Sequence, residues 1–334
     1  VGSEMCIRDR FGSLSGSSVA ASVAIGGVLI PMEEKEGYDK KFAAAVNIAS
    51  APTGLIIPPS GILIIYPVLA GCSVVGMIMS GYIPGLMWAL ACMVVAYVIA
   101  KKNHYPTAGK VPASVFFKYF VDAIPSLLLI VIIVGGVMSG IFTATESAAV
   151  AVAYTLFLSI VVYRSIKIKD LPKILLDACE TTAVIMFLIA GSNVMSFVMS
   201  FTGLPSAIGN ALISVSSNKY VILLIINLVL LVVGCFMDIT PAVLIFTPIF
   251  LPVVQSFGMD PIHFGIMMVM NLGIGNITPP VGSALFSGCS VADMDMEDMI
   301  KPILPFYAAI FVALMLVAYV PWFSMALPTL FGAV

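Results

Sequence analysis

Charged residues are scarce in this sequence. Asp, Glu, Lys and Arg make up 10% of its 334 residues, against about 25% in soluble domains, so a water-exposed surface cannot be built from them. The net charge of -2 leaves no basic face for nucleic acid. The histidines, His104 and His263, stand far apart, and the six cysteines form no CxxC motif. Neither a transition-metal site nor a disulfide framework is therefore predicted.

Apolar residues, by contrast, make up 61% of the chain and occur in long runs separated by short polar loops. This pattern predicts an all-α polytopic membrane protein. Five runs are long enough to cross a hydrocarbon core about 30 Å thick as single helices. They are Met77–Ala100, Phe120–Phe142, Ala144–Tyr163, Ala178–Phe201 and Ile303–Phe323.

The first ten residues, VGSEMCIRDR, are polar and precede a Gly/Ser-rich apolar segment. We interpret residues 1–10 as a foreign leader on a longer chain that has been cut. The rest is predicted to divide into a remnant of a first repeat (11–76), a span and basic loop that link the repeats (77–119), and a second repeat (120–334).

Two stretches repeat one pattern, in which a double proline interrupts an apolar run of membrane-spanning length. The prolines are Pro58-Pro59 and Pro279-Pro280. A tip rich in small polar residues lies upstream of each: Ser18 precedes Pro58 by 40 residues, and Thr240 precedes Pro279 by 39. The matched spacing predicts two structural copies.

Each copy is interpreted as a re-entrant hairpin followed by a broken helix. The second hairpin is predicted to run inward over Tyr220–Cys235, turn at Met237–Pro241 and run outward over Val243–Val254. The first keeps a tip at Gly12–Ser18 and an outward limb at Val19–Pro31, and the broken helices are Phe42–Cys72 and Ile262–Val291. The intervening spans place the copies in inverted orientation, as in secondary transporters.

Lysine and arginine are distributed unevenly over the predicted loops. Twelve fall on the side where the first hairpin opens: Lys35, Lys40, Lys41, Lys101, Lys102, Lys110, Lys118, Arg164, Lys167, Lys169, Lys173 and Lys301. Lys219 falls on the other side, and Arg8 and Arg10 belong to the leader. The positive-inside rule then predicts a cytoplasmic first hairpin and a periplasmic C-terminus.

Polar groups gather where the tips are expected to meet the broken helices. A double proline breaks the helix, and the freed carbonyls need partners such as a bound cation. Asp238 is costly in an apolar region, so we expect either function or capping of the following half-helix. We predict Na⁺ binding through Ser18, Asn47, Pro58, Pro59, Asp238, Thr240, Asn271, Pro279 and Pro280, and substrate binding through Ser15, Ser17, Ser18, Ser60, Asn276 and Thr278.

Several motifs resemble the large membrane subunit of tripartite ATP-independent periplasmic (TRAP) transporters. They are the SGSSVA tip with its following IP (Ser15–Pro31), IIPPSG (Ile56–Gly61), IPG (Ile83–Gly85), GIFTATESAAVA (Gly140–Ala151), DLPKILLDA (Asp170–Ala178) and MDITPAVLIFTPIFLP (Met237–Pro252). GIFTATES is a more specific marker of this family than PPS, because proline-broken helices occur across the wider ion-transporter superfamily. Its Glu146 is as readily explained by capping of the following helix as by transport.

The resemblance implies an elevator fold of the ion-transporter superfamily in the bacterial inner membrane, coupled to Na⁺. It also implies a small four-helix membrane subunit, a periplasmic binding protein and a carboxylate substrate such as a C4-dicarboxylate, sialic acid or a sugar acid. No other cofactor and no catalytic residue are expected. Two alternatives stay open: a stand-alone Na⁺/carboxylate symporter of the same superfamily, and an intramembrane enzyme, for which no paired catalytic set is visible.

Overall fold

A computed structural model describes residues 17–58, 60–106, 141–164, 166–203 and 218–333, with the isolated residues 124, 125, 128, 129, 132, 135, 136, 207, 208 and 211. Ser15, Pro59 and most of the predicted span Phe120–Phe142 lie outside these residues. The described part is helical and contains no strand. The prediction of an all-α protein is confirmed over that part.

The helices divide between two compact units, residues 1–107 with 193–334, and residues 108–192. In chain order they are α1 (Ser18–Lys35), α2 (Lys40–Ser50), α3 (Thr53–Ile56), α4 (Ile62–Ala70), α5 (Val74–Ser80), α6 (Tyr82–Lys102), α7 (Ala144–Phe157), α8 (Leu171–Thr202), α9 (Lys219–Phe236), α10 (Ile239–Ser256), α11 (Pro261–Asn276), α12 (Ser283–Val291), α13 (Met296–Tyr319) and α14 (Trp322–Leu330).

Six stretches of the described residues are long and apolar enough to cross a membrane. They are Val74–Lys102, Thr145–Val162, Ile168–Met195, Lys219–Phe236, Ile239–Ser256 and Met296–Tyr319. Four contain or largely overlap runs predicted from the sequence as single spans. The other two, α9 and α10, are the limbs of the predicted second hairpin.

Pro58 and the pair Pro279-Pro280 fall at helix interruptions, because proline lacks the N–H that continues the helical ladder. The first broken helix consists of α2 and α3, a break from Ile57 to Gly61, and α4. The second consists of α11, a break from Ile277 to Gly282, and α12.

The second hairpin turns more sharply than predicted. Its limbs are joined by Met237 and Asp238 alone, so the predicted tip Met237–Pro241 is too long. Thr240 and Pro241 lie in the first turn of α10. A proline fits there, because a first-turn N–H has no partner within the helix.

The outward limbs pair crosswise with the two broken helices. Limb α1 packs against α2, the first half of its own broken helix, and against α12, the second half of the other. Limb α10 likewise packs against α11 and against α4. Each limb thus joins the two broken helices.

Glycines allow the backbones to approach closely around the breaks. A Cβ on Gly275 of α11 would lie under 3.0 Å from backbone atoms of Gly234 and Cys235. In the predicted IPG motif, a Cβ on Gly85 would collide with Ile57 at the first break. The IPG motif therefore has a packing role, because Gly85 lets the first break pack closely against α6.

The second unit contains the GIFTATES motif. Thr143 caps α7: Glu146 Oε2 accepts hydrogen bonds from Thr143 N (2.8 Å) and Thr143 Oγ1 (2.9 Å), and Glu146 N donates to Thr143 Oγ1 at 3.3 Å. This reciprocal capping box satisfies first-turn donors of the helix. The capping explanation of Glu146 thus accounts for its contacts.

Candidate functional site

A chain of polar side chains crosses the second break. Asn276, the last residue of α11 and 1% exposed, donates from Nδ2 to Ser18 Oγ at 2.5 Å. Its Oδ1 is in hydrogen-bond contact with the Ser283 hydroxyl, which is also 3.2 Å from Asp238 Oδ1. Ser18 begins α1 and Asp238 lies at the tip of the second hairpin, so this chain joins the two tips.

Around the Ser283 hydroxyl, acceptor oxygens outnumber the hydroxyl protons available to them. The Ser283 hydroxyl carries one hydrogen, so it donates either to Asn276 Oδ1 or to Asp238 Oδ1. A carboxylate oxygen, an amide oxygen and a hydroxyl oxygen therefore meet with one shared proton between them. Such a set of oxygens suits a hard cation.

Asp238 stands at the N-cap position of α10 but makes no side-chain capping bond. Its side chain instead contacts the Ser283 hydroxyl on α12. The alternative prediction, that Asp238 caps the following half-helix, is therefore wrong. The carboxylate instead faces the second break.

Backbone contacts hold the second break against the hairpin. Cys235 O accepts from Val281 N at 3.2 Å and from Gly282 N at 3.4 Å. Tyr307 of α13 donates its hydroxyl to Ile277 O, and Thr278 Oγ1 donates to Ile274 O at 2.6 Å. Several groups freed by Pro279-Pro280 are thus satisfied by protein, and the Thr278 hydroxyl proton is already engaged.

The first break contains an unpartnered hydroxyl. Ser60 is 2% exposed, and its Oγ has no hydrogen-bond partner among the described residues. A buried hydroxyl without a partner costs free energy, so a bound group is expected to contact it. Gly61 follows it and precedes α4, and an α-helix N-terminus favours anions.

Two predicted asparagines lie deeper along the half-helices. Asn47 Nδ2 donates to Ser22 O at 2.9 Å and ties α2 to α1. Asn271 Nδ2 donates to Asn227 O (2.9 Å) and Asn227 Oδ1 (2.7 Å), which ties α11 to α9. Asn271 Oδ1 is buried without a partner among the described residues. These contacts hold helices together and leave one acceptor open.

The structure therefore connects some predicted site residues and separates others. Ser18, Asn276 and Asp238 belong to the chain across the second break. Ser17 caps α1, with Ala20 N donating to its Oγ at 3.4 Å. Thr240 is partly buried in the first turn of α10.

Sequence reasoning missed Ser283, Asn227 and Tyr307. Ser283 directly follows the PPVG motif at the start of a half-helix, and Asn227 is a polar residue inside an apolar run. Both signals were available, because polar residues are costly in apolar segments. Tyr307 has no comparable signal, since a tyrosine in an apolar helix is common.

Comparisons with known proteins identify the family. Residues 8–323 match the model of the family described as "Tripartite ATP-independent periplasmic transporter, DctM component". The chain is 50% identical over 323 residues to the uncharacterized protein YgiK of Salmonella typhimurium, a match that covers 96% of this chain and 74% of that protein.

Two further relatives are named as transporters. The C4-dicarboxylate TRAP transporter large permease protein DctM of Pseudomonas aeruginosa is 37% identical, over 96% of this chain and 75% of its own length. The sialic acid TRAP transporter large permease protein SiaM of Vibrio cholerae is 38% identical over the same shares. The predicted family is thereby confirmed, and this chain belongs to the DctM family, the large multi-pass permease subunits of TRAP transporters.

Proposed function

We propose that this chain is the permease of a Na⁺-coupled system that imports a small carboxylate across the bacterial inner membrane. The observation that carries the proposal is the polar chain Ser18–Asn276–Ser283–Asp238, which joins both hairpin tips at a broken helix. A site between the tips can bind Na⁺ and a carboxylate together. The second break offers side-chain oxygens for the cation, and the N-terminus of a half-helix for the anion.

One Na⁺ is proposed at the second break, held by Asp238, Ser283 and the Asn276 amide oxygen. These oxygens share a single hydroxyl proton, and a cation among them would satisfy the remaining lone pairs. Thr278 and Tyr307 already donate hydrogen bonds to the carbonyls of Ile274 and Ile277. We therefore propose that other carbonyls near Pro279-Pro280 complete the coordination shell.

A second Na⁺ is proposed at the first break by the inverted symmetry of the copies. Ser60 Oγ, unpartnered and buried, supplies one oxygen. Carbonyls near Pro58-Pro59 and groups of the first hairpin tip are proposed as the others. Asn47 Nδ2 donates to Ser22 O at 2.9 Å, so we propose that Asn47 positions α1 against α2.

The substrate carboxylate is proposed to lie between the two tips. The sequence has no Lys or Arg from Phe11 to Glu34, around Ser18, or from Tyr220 to Ile300, around Asp238. Hydroxyls, amides, the N-terminus of α12 and bound Na⁺ must then hold the anion. Asp238 repels an anion until a cation neutralises it, so carboxylate binding is expected to depend on Na⁺.

Both breaks belong to one compact unit, which supports an elevator mechanism in which that unit moves as one body. The lysine asymmetry supports a periplasmic C-terminus. The family is tripartite by description, and we propose a small four-helix membrane subunit and a periplasmic binding protein as the other two components. We propose a carboxylate such as a C4-dicarboxylate or sialic acid, the substrates named for two relatives.

Uptake by proteoliposomes that contain the complete system tests the coupling. Ser283→Ala and Asp238→Asn are expected to raise the Na⁺ concentration for half-maximal uptake several-fold. Ser287→Ala is the matched control, because its hydroxyl bonds Ser283 O within the same helix at 2.7 Å and touches neither tip. Unchanged Na⁺ dependence in both site variants would refute the second-break site.

Calorimetry with a panel of carboxylates tests the anion. Affinity is expected to fall steeply when choline replaces Na⁺, and equal affinity in the two salts would rule out the coupled site. Uptake that does not require the binding protein would instead favour the stand-alone symporter.

A further inference from the structure

A cavity of about 230 Å³ lies at the end of the second hairpin that is remote from its tip. It is formed where α9 and α11 begin and where α10 and α13 end. Its wall includes Lys219, Tyr220, Asp260, His263 and Tyr319. Because four long apolar helices start or finish at this level, the cavity is expected at the membrane surface.

The cavity presents two opposite charges. Lys219 is exposed and is the first residue of the 18-residue helix α9, whose N-terminus adds partial positive charge. Asp260 is partly buried, and its Oδ1 accepts a hydrogen bond from Ile262 N at 2.8 Å. A ligand that carries both a negative and a positive group matches this wall.

The wall is held in place by hydrogen bonds. His263 is 3% exposed, with Nδ1 2.6 Å from Ser324 Oγ and Nε2 3.3 Å from Ala318 O. Tyr319 donates its hydroxyl to Tyr220 O at 3.2 Å, and the two rings meet edge to face. The cavity is therefore largely preformed, and its tyrosines are typical of a membrane interface.

An apolar track leads away from the cavity along α9. Tyr220, Leu224, Leu228 and Val232 are all exposed and are spaced four residues apart, so they share one face of the helix. The stripe is roughly 18 Å long. That length is slightly more than half of a hydrocarbon core about 30 Å thick, as one acyl chain requires.

We propose that this cavity binds the phosphoethanolamine headgroup of a phospholipid. Lys219 receives the phosphate, Asp260 receives the ammonium group, and one acyl chain lies on the α9 track. The volume holds about eight water-sized atoms, which fits this headgroup. A choline headgroup cannot donate hydrogen bonds to Asp260 and a glycerol headgroup has no positive charge, so both are expected to bind less well.

Native mass spectrometry of the purified full-length permease, with lipids of matched chains, tests the proposal. Phosphatidylethanolamine is expected to be retained about tenfold better than phosphatidylcholine or phosphatidylglycerol, the effect of one charge-assisted hydrogen bond. Asp260→Asn keeps the capping oxygen and is expected to abolish this preference. Lys219→Ala is expected to weaken all three lipids, and Lys301→Ala, an exposed lysine outside the cavity, is the control.

Equal retention of the three lipids by the unmodified protein would overturn the proposal, as would an unchanged preference in Asp260→Asn. Glycerophosphoethanolamine separates a lipid from a soluble headgroup. It lacks acyl chains and is expected to compete poorly; competition as strong as that of the lipid would overturn the role of the α9 track. None of these measurements involves Na⁺ or the carboxylate, so they are independent of the proposed transport site.

Discussion

Replacement of Gly275 by alanine is expected to disrupt the contact between the second broken helix and its hairpin. The new Cβ would lie under 3.0 Å from backbone atoms of Gly234 and Cys235. Backbone cannot rotate away as a side chain does, so α9 and α11 must separate. That movement also strains the bonds from Val281 and Gly282 to Cys235 O.

The size of the effect follows from known costs of overpacking, about 1–3 kcal/mol for inserted methyl groups. A collision with backbone belongs at the upper end of that range. At about 2–4 °C per kcal/mol, the melting temperature should fall by roughly 5–10 °C. Loss of the aligned second break should also reduce Na⁺-dependent uptake.

Gly273→Ala is the matched control on the same helix. A Cβ there would lie 3.4 Å from Pro52 and 3.5 Å from Trp88, at ordinary van der Waals distance. Alanine is also favoured over glycine inside a helix by about 0.5–1 kcal/mol. Differential scanning fluorimetry of both purified variants provides the comparison, and a Gly275→Ala protein as stable as Gly273→Ala would refute the close-packing argument.

Three further predictions follow from individual contacts. Thr143→Ala removes the capping box of α7 and should cost about 1 kcal/mol, seen as a lower melting temperature with unchanged Na⁺ dependence; a changed Na⁺ dependence would contradict a purely structural role. Trp88→Phe removes the donor to Ala49 O (3.0 Å) and should destabilise by about 1–3 kcal/mol, which denaturation can measure against the unmodified protein. In a cysteine-free background of intact cells, an impermeant thiol reagent should label a cysteine at Asn218 and spare one at Asn103; the reverse pattern would invert the proposed orientation.

Sequence reasoning located the breaks because their cause is local. Proline cannot donate to the helical ladder, and each break carries a double proline in the sequence, whereas single prolines such as Pro248 and Pro305 lie inside helices. The apolar runs likewise predicted most of the candidate spans. The hairpin tip was less well predicted, since Pro241 suggested a longer turn although a first-turn proline is compatible with the helix.

The partners at the site were harder to predict, because they are chosen by packing between helices that are distant in sequence. Asn276 and Ser18 are both candidates from composition, but nothing along the chain says that they bond each other. The amide nitrogen of Asn271 bonds Asn227, a partner that the sequence around Asn271 does not indicate. Periodicity gives the face of a helix and does not identify the neighbour.

The crosswise pairing of the outward limbs has a consequence for biosynthesis. The bond from Asn276 to Ser18 spans 258 residues, and α1 packs on α12, so the first copy has no complete set of neighbours until nearly the whole chain has been made. At about 5–20 residues per second, that interval lasts roughly 10 to 50 seconds. During that interval, the surfaces of α1 and α4 that will later contact α12 and α10 face lipid or the insertion machinery. Errors of assembly are therefore expected mainly at this stage of synthesis.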